Sequence, residues 1–172
     1  MSTSSASALD KSLVEFLRFE TLPPLLIGGV RKNQLRDPST DIPQIWQQFS
    51  QHFNAIQPRV SDTAFGVCMQ AEGDNSCFDY LAGCEISDDT HLASALSSVS
   101  IPAQRFAVFA HHRHVSEISA AMHAIFSMWL PKAAIEAVNA GENAVSFFER
   151  YGKDFDPKTG RGDIEIWIAV AG

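Results

Sequence analysis

The stretch AQRFAVFAHHRHVSEISAAMHAIFSMWL, residues 103–130, contains two hydrophobic periods in succession. Residues 103–112 alternate between apolar and polar positions, which is typical of a β-strand. From residue 115 onward the apolar side chains follow helical spacing, and the helix should end near Pro131. Its apolar stripe consists of Val115, Ile118, Met122, Ile125, Phe126 and Trp129. The stretch therefore predicts a strand followed by an amphipathic helix.

Two more strands are predicted beyond this helix. Residues 144–151, AVSFFERY, and residues 163–170, DIEIWIAV, are rich in the β-branched and aromatic residues that strands favour. The segment between them contains the Gly, Pro and Asp residues of a turn. The second half of the chain thus has the order strand, helix, strand, strand.

The first half of the chain shows the same order, although its sequence identity to the second half is low. A helix is predicted over residues 42–56, because Asp41 precedes it and Pro43 suits its first turn. The apolar positions at helical spacing are Ile45, Trp46, Phe49, Phe53 and Ile56. The other predicted segments are strands at 12–20, 22–30, 64–69 and 78–86, a loop at 31–41, and a turn plus an edge segment over 87–103.

The repeated order of elements predicts an α+β fold in one domain over residues 1–172. Two strand-helix-strand-strand units, at about residues 12–100 and 101–172, would pair through their sheets. We expect the polar residues 1–11 to be disordered. A cleft between related halves is a common place for a ligand.

Composition and charge exclude several functional classes. Hydrophobic residues make up 45% of the 172 residues, with 12 Phe, 3 Trp and 2 Tyr, which is enough for a core. No window approaches the length of a membrane span and the N-terminus does not look like a signal peptide, so we expect a cytoplasmic protein. The net charge is −7 and the densest basic stretch, residues 30–36, is short, which argues against direct nucleic-acid binding.

Cysteine and histidine spacing indicates no metal or cofactor. Cys68, Cys77 and Cys84 are odd in number and lack a C-x-x-C spacing, which favours buried, reduced thiols. The HHRH segment at 111–114 has no Cys, Asp or Glu at a familiar ligand spacing, so exposed histidines at a strand end are favoured over a metal site. Nucleotide-binding and nucleophile-elbow motifs are absent, although a spatial Ser-His-Asp site stays open.

Glu149 is the residue that points to function. Strand alternation places it on one face with Val145, Phe147 and Tyr151. A charged carboxylate among rings needs a positive partner or hydrogen bonds. Glu149 is therefore either an ordinary solvated or paired side chain, or a residue that faces a cationic ligand.

Four more aromatic residues are candidates to line a cleft. Trp46 and Trp129 lie on the apolar stripes of the two helices, where they either fill the core or form cleft walls. Trp167 lies on the more polar face of the last strand, and it either covers a cavity or packs under a loop. Tyr80 opens a strand, where its phenol could face a cleft.

The ordered set of segments resembles the GyrI-like small-molecule-binding domain, the effector-binding domain of some AraC- and MerR-type bacterial transcription regulators. The resemblance rests on residues 101–136, the FFERY and DIEIWIAV strands, and the IPQIWQQF, FGVCM and DYLAGCEI segments. It covers roughly residues 12–170. Stand-alone integron cassette proteins are a looser match. The resemblance implies two pseudo-twofold-related halves and a central cleft that takes amphipathic, often cationic, molecules.

The resemblance also implies roles for particular residues. Glu149 matches the acidic residue of the pocket, and Tyr80, Trp129 and Trp167 match its aromatic residues. With Phe147, Tyr151 and Trp46 they form the candidate ligand-binding set. The chain starts almost directly with this domain, so we expect a lone binding domain whose transcriptional role would need a DNA-binding regulator chain as partner.

Two other functions remain open. One is a small hydrolase with Glu149 as base and Tyr80 or Tyr151 as proton donor. The other is a protein-interaction module, for instance one that contacts gyrase. We favour binding of drug-like or dye-like cations without catalysis, linked to transcription regulation or to drug sequestration.

Overall fold

The computed structural model describes residues 12–70, 78–138 and 145–171. Eight strands form one antiparallel sheet, and two helical regions pack on it. The strands are β1 Val14–Leu22, β2 Leu25–Leu35, β3 Arg59–Gln70, β4 Phe78–Ile86, β5 Ser97–Ile101, β6 Gln104–His111, β7 Val145–Tyr151 and β8 Ile164–Ala169. The helices are α1 Pro38–His52, α2 Ile118–Ala124 and α3 Leu130–Ala133, with a π-helical segment Ile125–Trp129 joining the last two. This architecture confirms the predicted α+β class.

The order of strands across the sheet has internal symmetry. It runs β1-β6-β8-β7-β3-β4-β2-β5. If β1, β2, β3 and β4 are exchanged for β5, β6, β7 and β8, the same order is obtained from the opposite edge of the sheet. The symmetry axis passes between the central pair β3 and β7. The edge strands are exchanged between the halves, because β1 pairs with β6 and β5 pairs with β2.

Both helical regions cover the same face of the sheet, which we call the helical face. On one side, α1 buries Ile45 and Phe49 against a cluster that includes Tyr80 and Cys68. On the other side, the π-helical segment buries Ile125 in a separate cluster. Phe147 packs against both clusters and so lies between the two helical regions.

The opposite face, which we call the inner face, is also buried although no helix covers it. Pro23 and Pro24 alone link β1 to β2, and 102–103 alone link β5 to β6. Each link joins strands from opposite ends of the order and spans at most about 11 Å. The sheet must therefore curl until its edges approach, which encloses an apolar cluster of Leu25, Ile27, Phe65, Val67, Met69, Leu81, Val99, Ile101, Phe106, Val108, Val145, Phe148, Trp167 and Ala169.

The predicted loop at 31–41 is wrong. Strand β2 continues to Leu35 and pairs with β4, and α1 begins at Pro38. The polar residues in this stretch are satisfied across the pair, because the Arg31 guanidinium donates to Asp79 at 2.8 Å and the Gln34 N–H donates to the same carboxylate at 2.9 Å. The polar composition of this stretch predicted a loop, whereas its pairing with β4 makes residues 31–35 part of a strand.

Two further expectations need correction. The first helix spans Pro38–His52 rather than 42–56, and Phe53–Ala55 form a 3₁₀ turn. Val145 does not share a face with Glu149, because a register shift opposite Cys68 and Met69 turns it to the inner face. The second helical region ends at Ala133, near Pro131 as predicted.

The last strand, the cysteines and the helices can each be compared with what the sequence predicts. The last strand directs Ile166, Ile168 and Val170 to the helical face and Trp167 to the inner face. Cys68 and Cys84 are buried and free, whereas Cys77 and residues 1–11 lie outside the described residues. Among the described residues, no helix is long and apolar enough to cross a membrane.

Candidate ligand site around Glu149

Glu149 lies at the centre of the sheet on the helical face. On β7 it is directly opposite Gly66 of β3 on one side and Ile166 of β8 on the other. Because strands cover both flanks and helices lie above, only 6% of Glu149 is exposed. A carboxylate here is removed from water by the topology of the whole sheet.

Two phenols and an indole form a hydrogen-bonded chain that ends on this carboxylate. The Tyr151 hydroxyl donates to Glu149 Oε1 at 2.7 Å, and the Tyr80 hydroxyl donates to the same oxygen at 2.9 Å. Trp46 Nε1 of α1 donates in turn to the Tyr80 oxygen at 3.1 Å. β7 and β4 therefore contribute phenols that donate to one buried oxygen atom, and α1 is linked to it through Tyr80.

Gly66 makes room for this arrangement. A Cβ atom at this position would clash with the Tyr80 hydroxyl and would lie 2.7 Å from Glu149 Oε1. A glycine inside a strand marks a close approach of neighbouring groups. This signal is visible in the sequence, where Gly66 stands within the strand run FGVCM.

Burial dominates the electrostatics of the site. It raises the pKa of Glu149 from 4.5 to about 7, although the hydrogen bonds from Tyr151 and Tyr80 act in the opposite direction. Burial and the neighbouring Glu149 charge raise the pKa values of Tyr80 and Tyr151 well above the ordinary phenol value. In the described part of the chain, no Lys, Arg or His forms an ion pair with Glu149.

Aromatic rings surround the carboxylate and its phenols. The Trp46 ring meets the Tyr151 ring edge-on with centroids 5.3 Å apart, and it meets the Tyr80 ring at 6.5 Å. Phe155, from the segment after β7, packs on Tyr151 at 4.8 Å. The sequence analysis missed Phe155 because it placed residues 152–162 in a turn. Trp46, Phe147 and Phe155 are half-buried and mark the outer side of the site.

Five of the seven candidate residues thus lie together on the helical face: Glu149, Tyr80, Tyr151, Trp46 and Phe147. The structure does not bring the other two to Glu149. The Trp129 ring contacts Phe16, Phe19 and Phe109 over β1 and β6. The Trp167 ring stacks on Phe148 on the inner face, where it lines a cavity.

The site is closed in this structure. Two cavities, of about 240 and 500 Å³, lie on the inner face and beside Gln104, and Glu149 lines neither. A ligand that reaches Glu149 must therefore displace side chains, and Trp46 and Phe155 are the half-buried groups that cover its tyrosine partners.

The histidine segment has structural roles. His111 is buried, contrary to the expectation of exposed histidines, and its Nε2 lies 2.8 Å from the carbonyl oxygen of His114. His114 Nδ1 accepts a hydrogen bond from the Ser116 N–H at the start of the second helical region. No group of metal-binding side chains occurs within residues 12–70, 78–138 and 145–171.

Comparison with known proteins identifies the family. The family model for Cass2, the integron-associated effector binding protein, matches residues 20–170. The chain belongs to this family. The match confirms the resemblance to effector-binding domains, and it covers both halves of the fold and every residue of the Glu149 site.

Relatives of this Cass2-family chain include transcription regulators. The transcriptional regulator BrlR of Pseudomonas aeruginosa is 25% identical over 134 residues, which are 77% of this chain and 47% of BrlR. The chain therefore spans about half the length of that relative.

Solved structures share the fold. SAV2435 bound to tetraphenylphosphonium has a TM-score of 0.70 at 19% identity, covering 92% of this chain and 94% of that one. An integron cassette protein from the mobile metagenome of Vibrio cholerae has a TM-score of 0.54 at 16% identity, covering 92% and 99%.

Proposed function

We propose that this chain binds lipophilic organic cations at Glu149, between the rings of Trp46, Phe147 and Tyr151. The observation that carries the proposal is a carboxylate that is buried, lacks an ion pair within the described chain, and sits among aromatic rings. A buried charge without a partner is costly, so the site favours a guest that brings positive charge.

The energetics of such a guest are those of burial and cation–π attraction. A desolvated cation over an aromatic face gains roughly 0.5–2 kcal/mol per good contact. Two or three rings together with apolar burial give about −8 kcal/mol, which corresponds to micromolar affinity. Because the lining offers many rings and few fixed hydrogen bonds, specificity should be broad and should follow charge and size.

Entry requires the site to open on the α1 side. Trp46 gives up its hydrogen bond to Tyr80, and its ring becomes a wall of the pocket rather than its cover. Glu149 and Tyr80 come from different halves of the fold, so binding of a ligand between them is coupled to the relative position of the two halves. This coupling suits an effector domain that passes a binding signal to a regulator chain, and it also permits simple sequestration of drugs.

The relatives support this proposal. SAV2435 was solved with tetraphenylphosphonium, a lipophilic cation, and BrlR is a transcriptional regulator. The present chain shares the fold of the first and a quarter of the aligned sequence of the second. Tetraphenylphosphonium is therefore the natural first probe.

The test is an isothermal titration of tetraphenylphosphonium into the wild-type protein and two variants. Glu149→Gln keeps the shape of the side chain but removes the charge, and Asp62→Asn removes an equal charge from a side chain that is 83% exposed. We expect saturable binding by the wild type and Asp62→Asn, at least tenfold weaker binding by Glu149→Gln, and none of neutral triphenylphosphine oxide. Equal binding by Glu149→Gln would overturn the proposal.

A second candidate function is favoured by the two tyrosine contacts. Hydroxyls at 2.7 and 2.9 Å from a carboxylate with a raised pKa are the groups needed for acid–base hydrolysis of an electrophile. Incubation with an aromatic epoxide and chromatography of the diol product tests it. Turnover lost in Glu149→Gln would establish the hydrolase, and no turnover beside tight cation binding would establish a pure binding domain.

A further inference from the structure

The inner face of the curled sheet holds a cavity of about 240 Å³ that the Glu149 site does not use. Its apolar wall includes Phe65, Phe148 and Trp167, which are all buried. Its polar wall includes Arg18, Arg150 and Glu85. At about 30 Å³ per water molecule, the volume equals about eight waters, which is room for a small organic molecule.

Strand register fixes the relative positions of these groups. Phe65 of β3 is directly opposite both Arg150 of β7 and Gly83 of β4. Glu85 is two residues from Gly83, so it points to the same face. Two strand spacings of about 4.8 Å separate the backbones of β7 and β4. Arg150 and Glu85 therefore flank the Phe65 ring from opposite sides.

The charges in this cavity are unequally satisfied. Arg18 Nε donates to Glu20 at 2.6 Å, and its NH1 lies 3.7 Å from Glu165. Among the described residues, Arg150 has one long contact, 3.4 Å to Glu165 Oε1, an oxygen that also accepts from Trp167 Nε1 at 3.1 Å. Glu85 forms no ion pair with any residue in the described part of the chain. One carboxylate and most of one guanidinium thus remain available beside an aromatic wall.

We propose that this cavity binds an α-amino acid with an apolar side chain. The guanidinium of Arg150 would hold the carboxylate, Glu85 would hold the ammonium group, and the side chain would lie on Phe65 and Trp167. Arginine suits a carboxylate because its planar fork can donate two parallel hydrogen bonds. An anionic ligand would leave Glu85 without a counter-charge, and a cationic ligand would leave Arg150 with only its 3.4 Å contact to Glu165, so the two opposite charges favour a zwitterion.

This inference is independent of the proposed function at Glu149. The two sites lie on opposite faces of the sheet, and β7 contributes to both through alternate residues, Glu149 to the helical face and Arg150 to the inner face. An amino acid bound on the inner face would stabilise β7, the strand that carries Glu149. The domain could then sense a metabolite on one face and a foreign cation on the other.

The test uses L-phenylalanine and L-leucine as probes, measured by isothermal titration against the full chain. Two matched compounds each lack one charge: 2-phenylethylamine lacks the carboxylate, and 3-phenylpropanoate lacks the amine. We expect saturable binding of the amino acids, and at least tenfold weaker binding of both analogues. Arg150→Gln and Glu85→Gln should each weaken L-phenylalanine binding at least tenfold.

Three results would overturn the inference. The first is no saturation by either amino acid at millimolar concentrations. The second is binding of either analogue as tight as that of L-phenylalanine. The third is unchanged binding by both Arg150→Gln and Glu85→Gln proteins. Circular dichroism of each variant establishes that it is folded, and tetraphenylphosphonium titration of the same variants shows whether the Glu149 site is intact, so failure of one site is distinguishable from failure of the other.

Discussion

At the residue scale, the proposed function depends on a carboxylate whose pKa is raised by burial. The hydrogen bonds from Tyr80 and Tyr151 favour the ionised form, but desolvation outweighs them. The free protein therefore keeps Glu149 close to half-protonated near neutral pH. Such a group responds strongly to an approaching cation, because a small electrostatic change ionises it fully.

A raised pKa has a predictable effect on stability. The folded protein retains the Glu149 proton between pH 4.5 and about 7, where the unfolded chain has lost it. The free energy of unfolding should therefore fall as pH rises through this window, by about 3 kcal/mol from this group. Glu149→Gln should abolish that part of the slope and be the more stable protein at pH 8. Urea denaturation at several pH values measures it, and parallel pH curves for the two proteins would contradict the assignment.

Gly66 offers a steric test at the same scale. Gly66→Ala places a methyl group against the Tyr80 hydroxyl and Glu149. We expect a loss of about 1–3 kcal/mol of stability, as for other overpacked positions, together with loss of tetraphenylphosphonium binding. Thermal denaturation and titration check the two effects. A stable variant with unchanged affinity would show that the three groups do not need this close packing.

At the element scale, α1 acts as the cover of the site and the second helical region does not. Trp46 is the α1 residue that reaches the phenols, whereas Trp129 stacks on Phe16 at 4.8 Å over the edge of the sheet. Helical periodicity predicted both regions, because each buries a continuous apolar stripe. It could not distinguish the two tryptophans, since their distance from Glu149 depends on which strands lie beneath each helix.

This difference predicts distinct fluorescence responses. In single-tryptophan proteins, each keeping one of Trp46, Trp129 and Trp167 with Phe at the other two positions, tetraphenylphosphonium should quench or shift only the emission of Trp46. The reason is that Trp46 contacts the Tyr80 and Tyr151 rings, and the other two indoles lie in other clusters. A response confined to Trp129 would place the cation under the second helical region instead.

At the scale of the whole molecule, the two halves of the fold exchange their edge strands. The sequence predicted the order of strands and helices and the α+β class, because hydrophobic periodicity is a local property. It did not predict the curl of the sheet or the burial of Val145 on the inner face. The curl follows from the short links that join strands of opposite edges. The burial of Val145 follows from strand register, which couples residues such as Cys68 and Phe147 that are far apart in the chain.

The exchange of β1 makes a testable contribution to stability. Val14 is fully buried against β6 and the second helical region, whereas Leu17 on the same strand is 40% exposed. Val14→Ala should cost about 2 kcal/mol, and Leu17→Ala should cost no more than about 0.5 kcal/mol. Urea denaturation measures both. Equal costs would mean that β1 does not anchor the second half as described.

We propose that a cation ionises the buried carboxyl of Glu149, and the protonation state of this group can be measured directly. We would follow the side-chain carboxyl of ¹³C-labelled Glu149 by NMR through a pH titration, assigning it with Glu149→Gln, with and without tetraphenylphosphonium. The account predicts an apparent pKa of about 7 in the free protein, and a fall below 7 when the cation is bound. A pKa near 4.5 in the free protein, or one that the cation leaves unmoved, would contradict it.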